Sequence, residues 1–161
     1  MDILHSKIRA SFQGKYLTFI LMDEYYGISV NWLLQIIAIP DITTIPQVPS
    51  FFKGVINLRG KIIPVIDLRM KFGLPESSYS ERTSIIIVKI YDNNDKVFIG
   101  LIVDKVLEVL DINEKDIEEP PAFGVDTNTR FILCMAKVKD IVVTLLDITK
   151  VLVDIDLKYN I

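Results

Sequence analysis

Apolar residues recur along this chain in short runs broken by polar pairs, without long amphipathic stretches. Residues 16–22 (YLTFILM) predict a strand that turns at Asp23-Glu24 and returns over 25–29, a hairpin with an acidic connection. Residues 30–37 (VNWLLQII) place Val30, Leu33 and Ile37 at i, i+3 and i+7, which predicts a helix. Ile36 flanks its apolar face, and Trp32 and Gln35 point elsewhere. Residues 39–46 (IPDITTIP) read as extended chain punctuated by proline, and 49–53 as a short turn. Two further strands, 54–57 and 62–66, flank the polar corner Asn57-Leu58-Arg59-Gly60, where Asn and Gly tolerate positive φ and suit a hairpin. Asp67 stands where an N-cap belongs, ahead of a short helix ending at Phe72-Gly73. Residues 74–82 (LPESSYSER) have the composition of a linker. Residues 1–14 read as a flexible N-terminal arm and 153–161 as a C-terminal tail.

The second half repeats the first. Residues 84–90 (SIIIVKI) and 97–103 (VFIGLIV) form a hairpin across Asp92-Asn93-Asn94-Asp95. Gly27-Ile28-Ser29-Val30 aligns with Gly100-Leu101-Ile102-Val103, and at the same spacing Leu33, Ile36 and Ile37 meet Val106, Val109 and Leu110. Later, Pro64-Val65-Ile66-Asp67-Leu68 aligns with Thr144-Leu145-Leu146-Asp147-Ile148, the longer spacing placing a loop insertion at 120–129. Two copies, 15–73 and 83–152, each of about five strands, predict a mainly β fold of two small barrels fused at a shared core over 15–152. The copies differ at the corner, where Asn57-Leu58-Arg59-Gly60 faces Lys137-Val138-Lys139-Asp140. They differ again where Trp32 faces Lys105 and Gln35 faces Glu108. A lysine at the equivalent position marks a solvent-facing site, so Trp32 is either an exposed aromatic on a partner surface or a ring folded over the barrel rim.

Composition agrees with this picture and removes several functions. Half of the 161 residues are hydrophobic, with Val and Ile prominent, side chains that pack well on a pleated surface. A net charge of -3 with scattered Lys and Arg supplies no field for nucleic acid. No apolar run reaches the roughly 20 residues of a membrane-spanning helix, and the first residues lack a signal-peptide core. The lone Cys134 excludes an internal disulfide and suits a reducing, cytoplasmic compartment. The single histidine, His5, lies in the arm, so no nucleophilic triad or His-metal site can be assembled. The stretch from Gly54 to Gly60-Lys61 lacks the spacing, hydroxyl and strand-to-helix context of a phosphate loop. The acidic residues show no calcium-loop alternation. The expectation is a protein with no catalytic residues, no metal and no cofactor.

The runs GVINLRGKIIPVIDLRMKFG and YLTFILMDEYYGISVNWLLQII, with FIGLIVDKV in the second copy, resemble the CheW adaptor family of bacterial chemotaxis over about residues 16–152. The resemblance implies two intertwined five-stranded SH3-like barrels with a few short helices. It implies a non-enzymatic scaffold that couples chemoreceptor cytoplasmic tips to the regulatory domain of the histidine kinase CheA, with other adaptor copies as further partners. That places it in the cytoplasm at the inner face of the membrane, with no membrane insertion of its own. The family's motif arginine falls on Arg59, with Asn57, Leu58 and Gly60 around it, and the resemblance implies a partly apolar receptor groove between the barrels, with Leu33, Ile36 and Gly54 at matching positions. Gln35 stands where many members carry glutamate, and Trp32 is unusual at its position. A peptide- or ligand-binding regulatory barrel outside chemotaxis is the alternative.

Overall fold

Two sheets carry the chain in the computed structural model, which describes residues 7, 9–118 and 131–152. The first has the order β8-β1-β2-β11-β10-β9 and the second β3-β6-β7-β5-β4. The strands are β1 (Gly14–Leu21), β2 (Glu24–Ser29), β3 (Leu33–Ala38), β4 (Phe52–Leu58), β5 (Lys61–Asp67), β6 (Ser84–Asp92), β7 (Asp95–Val103), β8 (Lys105–Ile112), β9 (Ile117–Glu118), β10 (Ile132–Val138) and β11 (Ile141–Leu146). Helices α1 (Leu68–Lys71) and α2 (Ile148–Val151) follow β5 and β11. The expected tail 153–161, the insertion at 120–129 and His5 lie outside the described residues.

Each sheet draws strands from both halves of the sequence. The hairpin β1–β2 joins β8, β10 and β11 of the second half, while β6–β7 joins β3, β4 and β5 of the first. The crossing is the same in both: β2 runs parallel to β11 with Gly27 opposite Leu145, and β7 runs parallel to β5 with Gly100 opposite Val65. A Cβ on either glycine would press into apolar side chains of its own barrel, within 3.0 Å of Leu145 at Gly27 and 2.8 Å of Ile85 at Gly100. Both barrels also close alike. Thr43 and Val55 exchange backbone hydrogen bonds of 2.9 Å in one, and the two-residue β9 pairs with β10 in the other.

The residues sort into three apolar clusters because both faces of the sheets are covered. Tyr16, Cys134, Ala136, Val143 and Leu145 fill one barrel, and Ile56, Ile63, Val65, Ile85 and Ile87 fill the other. The largest cluster lies between them, where Phe19, Leu21 and Ile28 meet Ile86, Val88 and Leu101 with Leu68, Ile148 and Val151. Strand β6 shows the division, since Ile85 and Ile87 face its barrel while Ile86 and Val88 face the shared core. Four hairpins turn on two residues each, Met22-Asp23, Arg59-Gly60, Asn93-Asn94 and Lys139-Asp140, all at positive φ. That is the type I′ requirement, whose twist matches the strands. The Arg59 corner thus keeps its backbone in the second copy and differs in chemistry.

Two expectations fail here. Residues 30–37 are a 3₁₀ turn, Val30–Trp32, followed by strand β3. The run LLQIIA satisfies period two as well as the helical spacing, and pairing with β6 from Leu33↔Val88 to Ala38↔Ser84 decides between them. Residues 9–13 are docked, where a loose arm was expected. The Arg9 guanidinium donates to the Ile117 carbonyl, Phe12 packs on the first barrel's core, and the Tyr16 hydroxyl donates to the Phe12 carbonyl at 2.7 Å.

A buried ion cluster joins the barrels. Asp67 caps α1 by accepting the Arg69 N–H at 3.0 Å, as its position predicts, and its carboxylate also takes two hydrogen bonds from the Arg69 guanidinium. Both side chains are fully buried. Arg69 reaches on to Asp104 at 2.7 Å and to Ser77 at 2.6 Å. The other Asp104 oxygen accepts the Met22 N–H at 2.8 Å, on the turn between β1 and β2. The hydrogen bonds to Asp67, helped by those to Asp104, push the Arg69 pKa up further against the opposing effect of burial. The equivalent Asp147 caps α2 by accepting the Thr149 N–H, and among the described residues no ion pair engages it.

Arg69→Met, which keeps most of the volume, is expected to cost about 3–5 kcal/mol in urea unfolding because it strands the Asp67 carboxylate. Adding Asp67→Asn should restore part of that loss.

Gly54 has φ +136°, and a Cβ there would lie 2.0 Å from the Thr43 carbonyl oxygen, whereas Gly60, at φ +81°, has open space around it. Gly54→Ala is expected to lower stability by about 3 kcal/mol or more and Gly60→Ala by about 1 kcal/mol, read from urea midpoints.

Burial pushes the Cys134 thiol up from 9.0 to about 11 and the Tyr16 phenol, near that thiol, from 10.0 to about 12. Both ionise more readily in the unfolded chain, so their contribution is intact below about pH 9 and is lost as pH rises towards 12. Unfolding midpoints should therefore be level near neutrality and fall above about pH 9, with a shallower fall in Cys134→Ala.

Candidate partner-binding surface

The β4–β5 turn fixes its arginine by backbone geometry. Arg59 sits at φ 54° and Gly60 at φ 81°. The Asn57 side chain accepts the Gly60 N–H at 3.0 Å and braces the turn from inside. Arg59 projects from a corner whose two strands are held along their length by ladder bonds. A guanidinium presented in this way loses little backbone freedom when it grips a carboxylate.

Beside the turn lies a groove of about 470 Å³ at the mouth of the barrel that contains β4 and β5. Leu34 and Gln35 of β3, Leu58, Arg59, Lys61 and Ile63 of the β4–β5 hairpin, and Phe98 of β7 line it. Leu58 and Phe98 rest on the barrel's interior cluster, so its floor is a rigid extension of the core. The Lys61 ammonium stands 4.5 Å from the centre of the Phe98 ring, a cation held over an aromatic face.

Of the residues singled out from the sequence, the groove brings together Leu58, Arg59 and Gln35, with Asn57 and Gly60 forming the turn. Ile36 is 39% exposed on the same β3 face as Leu34. Leu33 and Trp32 are half-buried and pack on the central core, so the Trp32 ring is folded down onto the fold and is not displayed. The lysine comparison misled because Lys105 is itself half-buried. Gly54 lies buried beneath Thr43 and touches no outer surface.

Lys61, Phe98, Leu34 and Ile63 were not foreseen. Period two from the corner would have placed Lys61 and Ile63 on one side of β5. Phe98 needed the parallel pairing of β5 with β7, which no local pattern reveals.

Exposed apolar positions recur at equivalent places in the two copies: Ile62 at 57% with Val142 at 50%, and Ile36 with Val109 at 47%. The two copies thus expose apolar side chains at matching positions. Among the described residues no group of three or more His, Cys, Asp or Glu is placed to hold a metal, and no helix is long and apolar enough to cross a membrane.

Comparison with known proteins accounts for this arrangement. A model of the CheW-like domain matches residues 15–156. The chemotaxis protein CheW of Klebsiella aerogenes is 35% identical over 148 residues, covering 91% of this chain and 87% of that protein. The chemotaxis protein CheW of Bacillus subtilis is 37% identical over 115 residues, 71% of this chain and 70% of its own. The crystal structure of the scaffolding protein TtCheW from Thermoanaerobacter tengcongensis superposes with a TM-score of 0.72 at 40% identity, covering 84% of this chain and 90% of that one. The twofold SH3-like barrel architecture and the matched sequence agree, and the chain belongs to the CheW family of chemotaxis scaffolds, which are not enzymes.

Proposed function

We propose that the protein couples the cytoplasmic tips of transmembrane chemoreceptors to the histidine kinase CheA, in arrays at the inner face of the membrane. The observation that supports this reading best is Arg59, fixed at positive φ beside an apolar groove on a scaffold of the CheW family. A receptor tip is a helical hairpin, and a helix laid in a groove needs apolar anchors with charged clamps at the rim. Leu34, Leu58 and Phe98 supply the anchors, and Arg59 supplies a clamp. Asn57 and Gly60 hold the turn, and Gln35 borders it. Leu33 and Trp32 support β3 from the core side and do not touch the partner.

The kinase's regulatory domain, or a sister adaptor, engages the repeated apolar positions at the barrel ends, Ile62 and Val142. Each contact is weak. Joined in one assembly, each bound contact raises the effective concentration for the next, and a stable array results. Receptor state reaches the kinase as a coupling free energy, through contacts that differ between signalling states.

Arg59→Ala should leave thermal stability within about 0.5 kcal/mol of the parent, since the side chain is exposed at a turn. It should at the same time reduce recovery of receptor and CheA in pull-downs with the purified chain. Unchanged recovery by a folded Arg59→Ala protein, or a wild-type chain that recovers neither partner, overturns the assignment.

A further inference from the structure

The groove at Arg59 carries two cations and no acidic residue among those that line it. Among the described residues the recorded ion pairs engage Lys53 with Glu76, and Arg69 with Asp67 and Asp104, and none engages Arg59 or Lys61. Lys61 leans on the Phe98 ring, which orients its charge without neutralising it.

The internal repeat shows that this charge is not a requirement of the fold. The groove residues Gln35, Arg59 and Lys61, with the turn residue Gly60 between the last two, correspond in the other copy to Glu108, Lys139, Ile141 and Asp140. The other barrel therefore carries one cation and two acids at the positions where the groove's barrel carries two cations and no acid. The backbone is the same, since both turns have positive φ at both central residues. Of these four positions, the first copy fills two with cations and none with a carboxylate, above the apolar floor of Leu34, Leu58 and Phe98.

We infer that this groove selects an acidic amphipathic helix of the receptor tip. Lys61 acts as a second carboxylate clamp beside Arg59, and Gln35 keeps both clamps free by withholding an internal carboxylate. The inference rests on the receptor-coupling reading above and adds the chemistry of the segment that binds. An apolar stripe enters between Leu34, Leu58 and Phe98, while two carboxylates on its flank meet Arg59 and Lys61. Glutamate at residue 35 would compete for Arg59 from within the groove and favour a less acidic helix.

The test uses the full chain and soluble cytoplasmic fragments of the host's receptors, titrated at two salt concentrations. Lys61→Gln and Gln35→Glu are each expected to weaken binding by about five-fold and to flatten its salt dependence, the scale of one rim charge. Glu→Gln changes at the receptor tip should weaken wild-type binding to the same extent and remove the effect of Lys61→Gln. This receptor-side arm alters nothing in the adaptor's fold. If Arg59→Ala weakens binding while Lys61→Gln, Gln35→Glu and the receptor changes do not, the acidic-helix inference falls and receptor coupling stands. If Lys61→Gln and Gln35→Glu weaken binding of the CheA regulatory domain and spare the receptor, the occupant named here is wrong. If the wild-type chain binds neither receptor nor kinase, receptor coupling falls and this inference with it.

Discussion

The pairing of Arg69 with Asp67 and Asp104 holds the rest of the molecule in place. A guanidinium and a carboxylate with no solvent exposure are costly to dehydrate, and their attraction roughly offsets that cost without exceeding it. The cluster's contribution is therefore mainly positional. Asp67 ends β5 and starts α1, Asp104 marks the passage from β7 to β8, and the Met22 N–H belongs to the far hairpin of the other sheet. One fork of hydrogen bonds thus refers the two barrels to each other. Strand β5 is anchored at Asp67, and at its opposite end it presents Lys61 and the Arg59 turn. The Arg59 corner is in this way the free end of a strand whose root is pinned.

A repeated fold with one modified corner separates architecture from chemistry within a single chain. Both copies keep the two-residue turn, the glycine opposite the parallel strand and the aspartate that caps the following helix. What changes is charge: Arg59-Gly60 against Lys139-Asp140, Gln35 against Glu108, Arg69 against Thr149. The first copy places cations at its groove and at its inter-barrel joint, where the second has Lys139 with Glu108 and Asp140, and Thr149. Divergence of this kind lets two barrel ends of similar shape attract different surfaces.

Much of this was legible in the residues. Hairpins announced themselves through apolar runs around Asp-Asn and Arg-Gly corners, Asp67 through its place before Leu68, and the duplication through Gly27 and Gly100. The parts that stayed hidden depend on contacts distant in sequence. LLQIIA fits two periodicities, and only β6 selects one. Gly54 looked like part of the corner, yet its requirement comes from the Thr43 carbonyl, on a different segment. Arg69 carries no local signal of its role, because Asp104 reaches it from 35 residues along the chain. Residues 9–13 seemed unpatterned because their partners, Ile117 and the core around Tyr16, lie on other strands.

The small closing contacts of the barrels, Thr43 with Val55 and β9 with β10, have a consequence for life at high local density. A β-rich protein packed side by side with its own kind risks joining neighbours through bare backbone, a contact that is strong, indifferent to sequence and hard to undo. By spending those amides and carbonyls internally, the fold withdraws them from neighbours. Attachments made through side chains can be tuned residue by residue and let go on demand, so a scaffold of this kind can meet its neighbours without setting into a fibril.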